Sequence, residues 1–120
     1  MAQKYIEGDI VMADNSIMII KEPREECNFD LLWNNWIIYS YINIEEIKPV
    51  PLTPEILEKN GWKKLYEKFF EKNVNDIRLT IEFSENIYVA INRIFIMEIH
   101  YIHELQHLLF GLGINNKMEV

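Results

Sequence analysis

The sequence predicts an α+β fold: a small N-terminal β unit (a hairpin or SH3-like), a short central helix, antiparallel strands and a C-terminal helix. At 120 residues the natural expectation is a single compact domain over 1–120. Three observations predict this class. DIVMADNSIMIIKE, from residue 9, sets two β-branched apolar segments around the turn residues Asp14-Asn15-Ser16. LTPEILEKNG, from residue 52, carries a helix start and a helix stop. IRLTIEF, from residue 77, alternates Ile77, Leu79, Ile81 and Phe83 with Arg78, Thr80 and Glu82, the period of a half-buried strand.

Taken in order, Asp9–Ala13 and Ile17–Lys21 form the expected hairpin. The polar stretch EPREECNFD, 22–30, reads as a surface loop. WNNWIIYSYINI returns to strand composition, with a strand at Trp36–Tyr41. Pro49 and Pro51 keep the segment before the helix extended. Thr53 is the expected N-cap, Pro54 the first helical residue, Leu52 and Leu57 a hydrophobic staple, and Gly61 the left-handed stop. In 62–73, Trp62, Leu65, Tyr66, Phe69 and Phe70 fall at helical spacing, although aromatics also favour strands. IYVAI, after Ser84-Glu85-Asn86, and RIFIMEI read as strands. YIHELQHLLFGLG reads as a helix stopped by Gly113.

Composition narrows the function. The net charge is −7, with four basic and nine acidic residues in 1–50, six and five in 51–80, and two and five in 81–120. The acidic ends argue against direct binding to nucleic-acid phosphates, and they permit docking on a basic surface that normally holds nucleic acid. The lone cysteine, Cys27, excludes an internal disulfide and is expected to be a buried, inert thiol. No apolar run approaches a membrane span, and MAQKYIEGD lacks a signal-peptide layout. A cytoplasmic chain is the expectation.

HELQH, 103–107, matches the zinc-peptidase pattern H-E-x-x-H. His103 and His107 at i, i+4 can share one zinc, with Glu104 as general base. A third ligand is wanting: Glu119 is the only acid after His107, Phe110 and Gly113 stand where the longer form has its Gly and last His, and His100 is about 10 Å from His107 along the axis. On a helical wheel Tyr101, Leu105, Leu108, Leu109 and Leu112 make the apolar stripe. His100, His103 and His107 fall nearly opposite with Glu104, on a face expected to meet solvent or a partner. The pattern therefore predicts a solvated polar face, with no metal and no cofactor. A zinc-dependent hydrolase at His103-Glu104-His107 is the alternative.

Three blocks in order carry a resemblance: Ile6-x-Gly8-Asp9-x-Val11, then IEEIKPVPLTPEILEKNGW at 44–62, then IHYIHELQHLLFGLG at 99–113. The chain resembles a group of small proteins from prophages and mobile elements of Bacteroidota. Their middle block runs Ile-x-Pro-x-Pro-Leu-Thr, and their last helix Tyr-Val-His-Gln-Leu-Gln-Asn-Leu. By position that pattern has neither the acid at 104 nor the histidine at 107, which weighs further against a peptidase. The resemblance implies strand for parts of 62–72, and we follow it there against the periodicity. Small acidic phage proteins of this kind resemble anti-CRISPR proteins. The implied function is inhibition of a host defence nuclease by protein binding, with a Cas13b-type RNA-guided RNase as partner and no catalysis. The expected contact residues are Glu25, Glu26, Asp30, Trp33 and Trp36, in an aromatic and acidic loop. The competing reading is that both tryptophans pack in the core. A small-molecule sponge is a further alternative; the three arginines, Arg24, Arg78 and Arg93, and the lack of a Gly-rich phosphate loop count against it. A virion part has no heptad or repeat to support it.

Overall fold

A computed structural model describes residues 5–34 and 36–120. The first four residues of the N-terminal run, and Asn35 of WNNW, lie outside the described residues. The described residues form two five-stranded antiparallel sheets and two α-helices. The first sheet holds β1 (Ile10–Ala13), β2 (Ser16–Arg24), β3 (Asn28–Trp33), β4 (Ile37–Asn43) and β5 (Ile47–Pro49), in the order β4-β3-β2-β1-β5. A 3-10 turn, Ile44–Glu46, precedes β5. After α1 (Pro54–Lys59), the second sheet is a meander of β6 (Lys63–Tyr66), β7 (Phe69–Val74), β8 (Ile77–Phe83), β9 (Ile87–Ile91) and β10 (Ile94–Ile99). Helix α2 (Ile102–Gly111) closes the fold.

Local chemistry accounts for the turns. Asp14-Asn15, Asn75-Asp76 and Asn92-Arg93 all have positive φ and join their strands through two residues. That is the mirror-image turn whose twist suits a hairpin, and Asn and Asp tolerate it best of the non-glycine residues. Thr53 Oγ1 caps α1 by accepting from the Ile56 N–H at 3.3 Å, and Leu52 and Leu57 are both buried. Gly61 ends the helix at φ 85°.

Two cores meet at β1. Val11 and Ala13 face a core built with Tyr5, Met18, Ile20, Phe29, Leu31 and Ile47. Ile10, one residue away, faces the second core with Leu57, Phe70, Leu79, Ile81, Leu105 and Leu109, and Met12 packs against it. Period-2 alternation thus makes β1 a wall shared by both cores.

Two expectations need correction, and one open segment is decided. Residues 22–30 are not a loop: β2 runs to Arg24 and β3 starts at Asn28, leaving the turn Glu25-Glu26-Cys27. The β2 end of this hairpin looks like a loop because Glu22, Pro23 and Arg24 are exposed on both faces, while Phe29 and Asp30 at the start of β3 turn inward. Cys27 is exposed at that turn rather than buried. The helical spacing in 62–73 is overridden by cross-strand pairing: β6 and β7 are strands, as the resemblance implied. Phe70 points into the core and Tyr66 to water, a two-sided split that a single helical stripe does not make.

Candidate functional site

HELQH is not a solvated face. It is the clamp that holds α2 to the segment entering β1. Glu104 Oε1 accepts the backbone N–H of His100 at 2.9 Å and of Tyr101 at 3.0 Å, which serves two backbone donors at the helix start. Gln106 is fully buried. Its Oε1 accepts the Ile10 N–H at 2.8 Å, and its Nε2 donates to the carbonyls of Gly8 at 2.8 Å and Asn116 at 3.0 Å. His107 Nε2 lies 2.7 Å from Asp9 Oδ2, which also accepts the Ile6 N–H at 2.9 Å. His103 is 5% exposed, its ring 5.1 Å from Tyr5 and stacked 6.0 Å from Tyr101. The I-x-G-D-x-V block is the other half of the clamp. Gly8 takes φ 94°, Asp9 faces His107, Ile10 enters the second core and Val11 the first.

Burial shapes the electrostatics here. Desolvation pushes the Asp9 carboxyl up, opposed by the Ile6 N–H and by His107. Desolvation pushes the His103 imidazole down, with Asp9 opposing and His107 adding to it. Burial also raises the Tyr5 hydroxyl, and the Asp9 charge adds to that shift. Asp9 Oδ1 and His103 Nδ1 are buried without a protein partner among the described residues. Among the described residues no group of three or more His, Cys, Asp or Glu is placed to hold a metal. The wheel errs because it assumes one buried face; α2 is covered on a second face by the 6–10 segment.

The five expected contact residues do not form one patch. Asp30 is buried and engaged inside the chain. Its Oδ2 accepts from Arg24 Nη2 at 2.6 Å and Nε at 2.9 Å, and its Oδ1 accepts the Tyr41 N–H at 3.1 Å. The Arg24 guanidinium holds the Asp30 carboxyl below its usual range. That carboxylate pins a bulge in β4, where Phe29 pairs Ile42 and Leu31 pairs Tyr39, with Tyr41 at φ 57°. Its charge is therefore used within the fold. Glu25 and Glu26 are exposed at the β2–β3 turn. Trp33 is half-buried against the first core, and Trp36 is 76% exposed at the β3–β4 turn. The six residues of β3 separate the two turns, about 17–20 Å along the strand. The reading that packs both tryptophans in the core fails for Trp36.

Beside Trp36 runs β4, an edge strand with Ile38, Tyr39 and Tyr41 exposed. Arg24 sits 5.4 Å from the centroid of the Tyr41 ring. Sequence reasoning did not single these residues out. The signal was present in WIIYSYI, whose bulky residues do not alternate with polar ones as a one-sided strand requires. No helix among the described residues is long and apolar enough to cross a membrane. No protein-family model matches this chain, and no curated protein or solved structure is significantly similar to it.

Proposed function

We propose that the chain is a phage-derived, protein-binding inhibitor of a host defence nuclease, an anti-CRISPR acting in the host cytoplasm on a Cas13b-type RNA-guided RNase. The observation that carries the protein-binding reading is Trp36. A tryptophan left 76% in water next to an edge strand bearing Ile38, Tyr39 and Tyr41 is the kind of anchor that dominates protein interfaces. Unpaired backbone on β4 offers a partner strand a ladder to join. The net charge of −7 and the exposed Glu25 and Glu26 suit a partner whose surface is basic because it holds RNA. The choice of Cas13b rests on the resemblance. We also read the first sheet as SH3-like: β5 returns to pair with β1 after a 3-10 turn, and bulges in β2 and β4 curl the sheet. Such a unit is a rigid platform for its loops.

The test is guide-dependent RNA cleavage by a purified Cas13b effector with and without this protein. Stoichiometric protein is expected to abolish cleavage. Trp36→Ala is expected to weaken inhibition by about 30-fold or more, the scale of an interface anchor. Reversing Glu25 and Glu26 to Lys is expected to slow association and flatten its salt dependence. Full cleavage at a tenfold excess of folded protein would remove Cas13b as the target. Inhibition untouched by Trp36→Ala would remove the β4 surface.

A further inference from the structure

The second sheet has one face in the core and one face in water, and the water face has an unusual order. Cross-strand partners share a face, so the register reads directly across the strands. Phe69 on β7 pairs Glu82 on β8, Glu82 pairs Tyr88 on β9, and Tyr88 pairs Glu98 on β10. The row alternates aromatic, acid, aromatic, acid at the spacing of neighbouring strands, about 4.8 Å. Phe95, 61% exposed, lies in the next row with its ring 5.8 Å from Tyr88. Tyr66, 72% exposed, sits at the far end with its ring 6.0 Å from Phe69. The opposite side of the same strands is closed by Phe70, Leu79, Ile81 and Val89.

Solubility alone does not require this arrangement. A solvated sheet face built for solubility mixes both charge signs with few aromatics. This face carries both signs toward β6 and β7, where Lys63 stands opposite Glu71 and Arg78 pairs Glu71 at 3.0 Å, but at its β8–β10 end acids alone stand on both sides of a tyrosine. Glu82 makes no ion pair among the described residues, and Glu98 has only His100 nearby, at 3.4 Å. A planar cation laid on the Tyr88 ring would have one carboxylate on each flank and Phe95 at its edge.

The geometry points to this face as a docking surface for arginine side chains of a basic protein partner. Arginine is selected over lysine by its shape: a guanidinium stacks on a ring through its plane while its edge N–H groups reach carboxylates. A single strand of nucleic acid would stack on the same rings, but its phosphates would meet Glu82 and Glu98 and be repelled. The surface is separate from Trp36 and β4, which belong to the other sheet, so it stands or falls independently of the inhibitor reading.

The test uses the full chain, labelled with 15N, and two fluorescent probes, deca-arginine and deca-lysine. Deca-arginine is expected to bind about five-fold tighter or more, the scale of two exposed ring contacts. Its amide shifts are expected to concentrate on β8, β9 and β10. Tyr88→Thr and Phe95→Thr, which keep strand propensity, are expected to bring deca-arginine down to the deca-lysine level. Glu82→Gln is expected to weaken both probes, and Trp36→Ala neither. Equal binding of the probes, no binding, or shifts spread over Glu25, Glu26 and the other exposed acids overturns the proposal. So does a dimer in sedimentation that Phe95→Glu dissociates, because the face would then be occupied by a second copy. Binding of oligouridine to this face in place of deca-arginine overturns it as well.

Discussion

His107 Nε2 stands 2.7 Å from the Asp9 carboxylate, joining the last helix to the residue just before β1 across 98 positions of sequence. One helical turn holds the rest of the contact: Gln106 bonds the backbone on either side of Asp9, and His103 packs on Tyr5. The clamp makes the two ends of the chain depend on each other.

Gln106 is the central bolt of this clamp. Gln106→Leu would fill the space, leave the buried Ile10 N–H without a partner and take the Nε2 donor from the part-buried carbonyls of Gly8 and Asn116. The expected loss is about 3 kcal/mol in urea unfolding at neutral pH, since each stranded polar group costs about 1–3 kcal/mol. A loss below about 0.5 kcal/mol, within the noise of such series, would mean that water replaces the side chain and that Gln106 does not hold the helix.

The same cluster sets a pH dependence. The folded pKa of His103 lies below its unfolded value of about 6.5, so the folded state binds fewer protons. Its contribution is present above about pH 6.5 and is lost as pH falls through the folded value. Asp9 acts with the opposite sign. Its folded pKa is raised, so its contribution is full below about pH 3.9 and is lost as pH rises through the folded value. The wild type is therefore expected to lose more stability between about pH 7.5 and 5.5 than His103→Phe does. In NMR the His103 imidazole should titrate below about 6.5; titration above that would show that burial does not dominate it.

The three tryptophans occupy three environments, and fluorescence separates them. Trp62 is buried, Trp33 half-buried and Trp36 in water. Trp36→Phe is expected to remove most iodide quenching and shift the emission to the blue, with no change in melting temperature. Quenching that survives the substitution would place another tryptophan at the surface.

HELQH should also behave as structure toward metals. Glu104 caps the helix, His107 holds Asp9, and His103 is sealed against Tyr5 and Tyr101. EDTA is expected to leave the melting temperature unchanged, and His103→Ala to lower it in buffers with or without zinc. A melting temperature that zinc raises in the wild type but not in His103→Ala would restore a metal site.

Much of the fold was legible because its signals are local. Thr53, Pro54 and Gly61 bound α1 through their own backbone preferences, and Asp14-Asn15 turns the first hairpin by tolerating positive φ. Ile77–Phe83 announces itself by alternation, and the strands at Ile87–Ile91 and Ile94–Ile99 by their β-branched and aromatic composition. The segment 62–73 was ambiguous to periodicity because Trp62, Leu65, Tyr66, Phe69 and Phe70 satisfy helical spacing, while only pairing with β8 shows which of them turn inward. Asp30 looked like a free surface acid because nothing local reveals that Arg24 and a bulge in β4 consume it.

By itself the sequence determined the β-rich start, the capped central helix, the late strands, the last helix and the acidic balance, all of which follow from propensity, period and charge. Only the tertiary structure decided what the polar residues do. A helical wheel sorts residues by polarity around one axis and contains no second surface. Gln106 is a buried polar group and His107 a part-buried one; their partners lie 96 and 98 residues away, and their role exists only once the two ends of the chain have met.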